Sequence, residues 1–122
     1  MERDTFVTHR GARILRVDYS GLGEVEELLR VAHRASRLME NEPPQSLLVL
    51  VDLSGTRYSL RLVRNLGDLA VANAPFVKAR ALVGLPALVR PVVREVARAS
   101  GRPTEMFDEY EPAMEWLVER AA

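Results

Sequence analysis

Five consecutive residues, Asp52-Leu53-Ser54-Gly55-Thr56, carry the residue types nearest to a chemical site. An aspartate at a strand end can attack phosphorus when a second carboxylate, two residues on, serves as general acid. Ser54 occupies that second position, and a hydroxyl does not deliver a proton at neutral pH as a carboxylic acid does. The simpler role for Asp52 and Ser54 is to accept backbone N–H groups in a strand-end turn. Other catalytic templates fail on inventory. His9 and His33 are the only histidines, cysteine is absent, and no serine lies in a Gly-x-Ser-x-Gly elbow. Gly21-Leu22-Gly23 lacks the third glycine of a dinucleotide-binding fingerprint and reads as a flexible strand-to-helix joint. The acids Glu105, Asp108, Glu109, Glu111, Glu115 and Glu119 have no calcium-loop spacing and read as a solvated face. The expectation is a non-enzyme without metal or cofactor; a small phosphatase-type enzyme built on Asp52 is the alternative.

The chain has 122 residues, with 17 bases balanced by 17 acids. That length predicts one domain over residues 1–122, large enough to hold a core without staples. The lack of cysteine excludes disulfides and cysteine-bound zinc. Balanced charge argues against nucleic acid as partner. No apolar run approaches the ~18 residues of a membrane span, and Met1-Glu2-Arg3-Asp4 does not open a secretory signal, so the expected compartment is the cytoplasm. Charge is uneven along the chain: residues 1–56, 57–102 and 103–122 carry net −2, +7 and −5. Arg90, Arg94 and Arg98 fall on one stripe of a helix, which reads first as a solvated face and second as a site for an acidic partner.

The elements that must position any site follow from periodicity. Thr5 to His9 and Arg13 to Tyr19 predict an antiparallel hairpin, the second strand setting Ile14, Arg16 and Asp18 on a wetter face. Val25, Leu28, Leu29, Ala32, Ala35 and Met39 form the stripe of a first helix. Ser46 to Leu53 holds the unbroken run Leu47-Leu48-Val49-Leu50-Val51, a strand buried on both faces and therefore central and parallel. A second helix runs from Ser59 with Leu60, Val63, Leu66 and Ala70 inward, and Ala74-Pro75 ends it. Val77 to Leu85 is a strand, about Ala87 to Ser100 a helix with Pro91 in its first turn, and Thr104 to Phe107 the last strand. Pro112 begins a final helix with Ala113, Trp116 and Leu117 inward. The order β-β-α-β-α-β-α-β-α predicts an α/β domain with a mixed, mostly parallel sheet and no internal repeat. In such sheets a site lies beyond the carboxyl ends of the parallel strands, here Asp52 to Ser59 and Gly84 to Pro86.

With Leu50-Val51-Asp52-Leu53-Ser54 closing the central strand and Phe107, Ala113, Trp116 and Leu117 closing the domain, the chain resembles the STAS/SpoIIAA-like superfamily. These are the sulfate-transporter and anti-sigma-factor-antagonist domains, and the likeness is to their small single-domain bacterial STAS/SEC14-type branch. It covers nearly the whole chain and implies a SpoIIAA-like fold. In the antagonists an aspartate-serine pair opens the helix after the central strand, and phosphorylation of the serine switches partner binding. Here Arg57-Tyr58-Ser59 stands in that place, with Arg57 for the aspartate, Tyr58 at the phosphoacceptor position and Ser59 one residue late.

The resemblance implies a non-catalytic binding or regulatory module. Its surface combines Asp52, Ser54, Arg57, Tyr58, Ser59 and Arg61 with the Gly84-Leu85 loop, and its partner is a protein or a small anionic ligand. Arg57 and Arg61 would supply cations at a helix N-terminus that already favours negative charge. The family's lipid-binding branch, with the small residues Ala70, Ala72 and Ala74, gives the alternative of a carrier for an apolar or lipid-like ligand. An exposed edge strand in the hairpin makes a homodimer a further expectation.

Overall fold

The computed structural model describes residues 3–121. Strands β1 (Asp4–His9), β2 (Ala12–Asp18), β3 (Leu47–Asp52), β4 (Val77–Val83) and β5 (Thr104–Phe107) form one sheet in sequential order. Helices α1 (Val25–Met39), α2 (Leu60–Asn73), α3 (Arg90–Arg98) and α4 (Tyr110–Ala121) cover it. The β1–β2 pair is antiparallel, and β2 through β5 are parallel. The hairpin closes through Arg10 and Gly11, whose positive φ values of 49° and 80° match the two-residue turn that suits strand twist.

The three crossovers step the same way across the sheet, so α1, α2 and α3 share one face. Leu15, Val17, Val49 and Leu82 meet Leu28, Val31 and Leu62 there. On the other face α4 lies alone, with Ala113 and Leu117 packed on Ile14, Leu48, Leu50, Ala79 and Ala81. The alanines of β4 leave room for that helix to approach. β3 is covered on both sides, as its unbroken apolar run predicts, and fully buried Leu50 contributes about 1.5–3 kcal/mol by leaving water. The wetter face expected for β2 is partly roofed: Ile14 is buried, and Arg16 and Asp18 are half-covered near Tyr110 of α4.

Two boundaries, one burial and one strand register differ from expectation. The last helix opens at Tyr110 rather than Pro112, and Pro112 sits in its first turn, where its missing N–H breaks no bond. The third helix is divided into a 3-10 turn at Ala87–Val89 and α3, with Pro91 the second residue of the α-helical part. Leu60, expected inward, is exposed because α2 is only one residue old there and has not yet reached the sheet. A bulge between the partners of Leu47 and Leu48 gives β4 one extra residue, Lys78. The bulge lets Val77 join the face of Val49 and Leu82 without disturbing the alternation from Ala79 onward. Lys78 is turned out to the carbonyl of Ala121 at 3.1 Å, whereas Arg80 is driven into the interior beneath α2 and α3.

Candidate functional site

At the carboxyl ends of β2 and β3 the same four-residue pattern occurs twice, Asp18-Tyr19-Ser20-Gly21 and Asp52-Leu53-Ser54-Gly55. Each aspartate accepts the N–H two residues on, Ser20 to Asp18 and Ser54 to Asp52, both at 2.9 Å. Each glycine then takes positive φ, 73° at Gly21 and 68° at Gly55. The strand register pairs Asp18 with Asp52, so the two turns lie side by side. They are stitched by Tyr19 N–H to Asp52 O at 2.8 Å and Gly21 N–H to Ser54 O at 2.9 Å. Thr56 adds a bond from its hydroxyl to Tyr19 O at 3.1 Å. Gly21-Leu22-Gly23 is therefore anchored rather than a free joint, and Leu22 is buried in the core.

The third turn, after β4, locks against the second. Leu53 N–H donates to Val83 O, and Gly84 N–H donates to Phe107 O. Gly84 has a φ of 86°, and a Cβ there would stand 2.1 Å from Ser54 Oγ and 2.8 Å from Ser54 Cα. Only glycine satisfies both requirements.

Asp52 is buried and fully employed. One carboxylate oxygen accepts Ser54 N–H, and the other accepts the Tyr110 hydroxyl at 2.5 Å. Burial, then the hydrogen bond and charge of Asp52, push the Tyr110 hydroxyl far above its ordinary value, which keeps it a donor. Tyr110 is the residue that sequence reasoning missed, because it reaches Asp52 across 58 positions.

Asp18 shows the opposing forces more plainly. Burial works against its charge, but the hydroxyl and N–H of Ser20 and the Arg16 guanidinium outweigh burial and hold the carboxyl below 3.8. The sign follows from that depression: the native state gains from ionised Asp18 above about pH 4, and the gain disappears as pH falls through the lower folded value. We expect the stability difference between wild type and Asp18→Asn to be largest near about pH 6 and to shrink toward about pH 3, read by urea unfolding across that range.

The remaining expected site residues divide into two groups. Tyr58 turns inward, its hydroxyl donating to Leu53 O at 2.8 Å, while burial and Asp52 push it up to about 12. Leu85 is core. Ser54, Arg57, Ser59 and Arg61 lie at the surface or partly open to it. Ser59 is the N-cap of α2, its Oγ accepting Leu62 N–H at 3.1 Å, a bond worth about 1 kcal/mol to the helix. Arg61 pairs loosely with Glu26 at 3.6 Å, and the Arg57 side chain passes Gly23. Leu60 and Leu88 stand out as large apolar side chains left 67% and 90% exposed. Leu60 opens α2 and Leu88 lies in the 3-10 turn before α3; the two segments follow neighbouring strands at one end of the sheet.

Of the arginine stripe on α3, Arg90 is spent on Leu85 O and the Asp108 carboxylate. The basic middle and the acidic tail of the chain thus touch within one molecule. Arg98 pairs with Glu95, and Arg94 is exposed. Trp116 packs on Phe107 with ring centroids 6.0 Å apart, His33 is on the surface, and His9 meets Glu115 at 3.1 Å. No group of acids and histidines among the described residues could hold a metal ion.

Behind the rim, a partly open pocket of about 120 Å3 lies between the sheet and α2 and α3. Leu53, Tyr58 and Leu85 line it at the rim, and Arg80, Asn73 and Thr104 supply its polar side chains farther in. Of the small residues expected to leave space, Ala70 does line it, whereas Ala72 is exposed and Ala74 is buried outside it.

This sheet order and helix placement define a SpoIIAA-like α/β fold. A solved structure with that architecture is an uncharacterized protein of the DUF3478 family with a SpoIIAA-like fold from Shewanella loihica PV-4. It superposes with a TM-score of 0.74 over 93% of this chain and 91% of its own, at 15% identity. That likeness establishes the fold expected from the sequence. No family model matches the chain, and no curated protein does. Among the described residues no helix is long and apolar enough to cross a membrane.

Proposed function

We propose that the protein is a non-catalytic binding module whose partner is another protein, docked on the rim formed by the starts of α2 and α3. The observation that carries this reading is the exposure of Leu60, which the cations Arg57, Arg61 and Arg64 flank in sequence, and of Leu88, in the segment after the neighbouring strand. Large exposed apolar side chains mark interaction surfaces, and arginine is enriched at interfaces. The partner therefore presents an apolar residue surrounded by carboxylates. The rigid turns beneath favour the same reading, since both oxygens of Asp52 are engaged in holding them. A phosphatase built on Asp52 would need that carboxylate free to attack.

The test is affinity capture from the native host with wild type and Leu88→Asp in parallel, followed by titration of the purified captured protein. We expect binding at least about tenfold weaker for Leu88→Asp with an unchanged unfolding midpoint. Equal binding by both forms would overturn the assignment of this surface. Recovery of a second copy of the chain would instead favour a homodimer.

A carrier role is the second reading, and the pocket behind the rim is the observation that favours it. At about 120 Å3 it is smaller than the roughly 300–1,000 Å3 of sites that enclose drug-sized ligands, which favours a compact guest over a long acyl chain.

A further inference from the structure

The pocket has an unusual inner lining. Most of its wall is aliphatic, yet Arg80 lies in it at 6% exposure. Two of the five guanidinium donors are met, by Ser100 Oγ at 2.9 Å and by Ala70 O at 2.7 Å. Neither acceptor carries a full charge, and no carboxylate among the described residues forms an ion pair with Arg80. Burial, and after it the like charge of Arg102, bring the guanidinium down to about 10. Buried cations are ordinarily paired with an anion, because desolvation without one costs several kcal/mol. The carbonyl ends of α2 and α3 supply part of that compensation here.

Three other polar side chains of the pocket each make a bond of their own and carry no charge at neutral pH: Asn73 donates to Ser36 Oγ, Tyr58 to Leu53 O, and Thr104 to Arg102 O. Arg80 is thus the one charged side chain among the described residues of the lining. Next to it a second cleft of about 210 Å3, sharing Ala97 and Thr104 with the pocket, is edged by Arg94, Arg98 and Arg102 and by Glu105, with Arg98 paired to Glu95. The bases outnumber the acids there, which favours an anion near the same residues.

We propose that the pocket beneath α2 and α3 is a binding site for a small apolar carboxylic acid, whose hydrocarbon body fills the aliphatic wall and whose carboxylate pairs with Arg80. This deepens the carrier reading and rests on it, independently of the docking surface at the rim. The volume sets the size of the guest: an apolar cavity of about 150 Å3 takes benzene, so this smaller pocket of about 120 Å3 takes an acid with a short branched chain rather than a ring.

Isobutyrate and its neutral near-isostere isobutyramide are the probes, titrated into the isotope-labelled full chain while amide and methyl resonances are followed. We expect saturable shifts at Ala70, Val93, Ala97 and Thr104 with isobutyrate, and binding of isobutyramide at least about tenfold weaker, since a charge-assisted pair is lost. Arg80→Met should remove the preference for the acid. Ala70→Leu, which fills the pocket from an unstrained helical position, should abolish binding of both probes while the protein stays folded, and it decides the matter if Arg80→Met fails to fold. Equal affinity for the two probes, shifts that persist in Ala70→Leu, or no saturable shift with isobutyrate would each overturn the proposal. None of these results bears on Leu88 or on a protein partner.

Discussion

Gly84→Ala is expected to cost at least about 3 kcal/mol of folding stability, the largest effect of any single methyl group added to this chain. Two causes act together. The backbone φ of 86° at Gly84 is one that side chains rarely adopt, and the new Cβ would lie 2.8 Å from the Cα of Ser54. Shortening Ser54 relieves the contact with its hydroxyl but leaves the clash with its backbone, so Gly84→Ala combined with Ser54→Gly should recover only part of the loss. Urea unfolding of the single and double variants checks this; a midpoint for Gly84→Ala within about 0.5 kcal/mol of wild type would show the turns to be pliable.

Asp52→Ala should destabilise by about 3 kcal/mol, because it strands two donors at once, the Ser54 N–H and the Tyr110 hydroxyl. Asp52→Asn keeps one acceptor oxygen and should cost about 1 kcal/mol. Tyr110→Phe separates the two bonds, and the cycle with Asp52→Asn should show coupling, since the residues touch. The ordering Asp52→Ala, then Asp52→Asn, is what a structural carboxylate demands. A stability unchanged in both variants would mean that Asp52 is held in place at the expense of the fold, as functional groups often are.

Much of the fold was legible in local pattern. The run Leu47 to Val51 had to be central because both of its faces were apolar, and α1 was outlined by a stripe from Val25 to Met39 with acids opening it. Boundaries slipped where two signals competed. Pro112 looked like a first residue, but Tyr110 and Glu111 precede it inside the helix because proline is tolerated throughout the first turn. Leu60 matched a helical stripe by spacing alone, and spacing does not say how far a new helix stands from the sheet.

The turns at the strand ends were legible in part: Asp52 does cap one of them as its type suggests, accepting the Ser54 N–H. The recurrence of Asp-x-Ser-Gly at residues 18–21 and 52–55 was a readable signal for two matching turns. Tyr110 carried no such signal, because its bond to Asp52 depends on α4 crossing the sheet. Arg80 was hidden by register. Lys78 and Arg80 are two apart and would share a face in a regular strand, and only the bulge at Lys78 separates a half-buried base from a buried one.

Crosslinking from the rim is the most direct test of the proposed role. A photoreactive phenylalanine at position 88, compared with one at the exposed Glu119 of α4, reports which face meets another protein in the native host. The account predicts a discrete crosslinked partner from position 88, weakened by Arg57→Ala with Arg61→Ala, and none from position 119. A partner captured from position 119 and not from position 88 would contradict it.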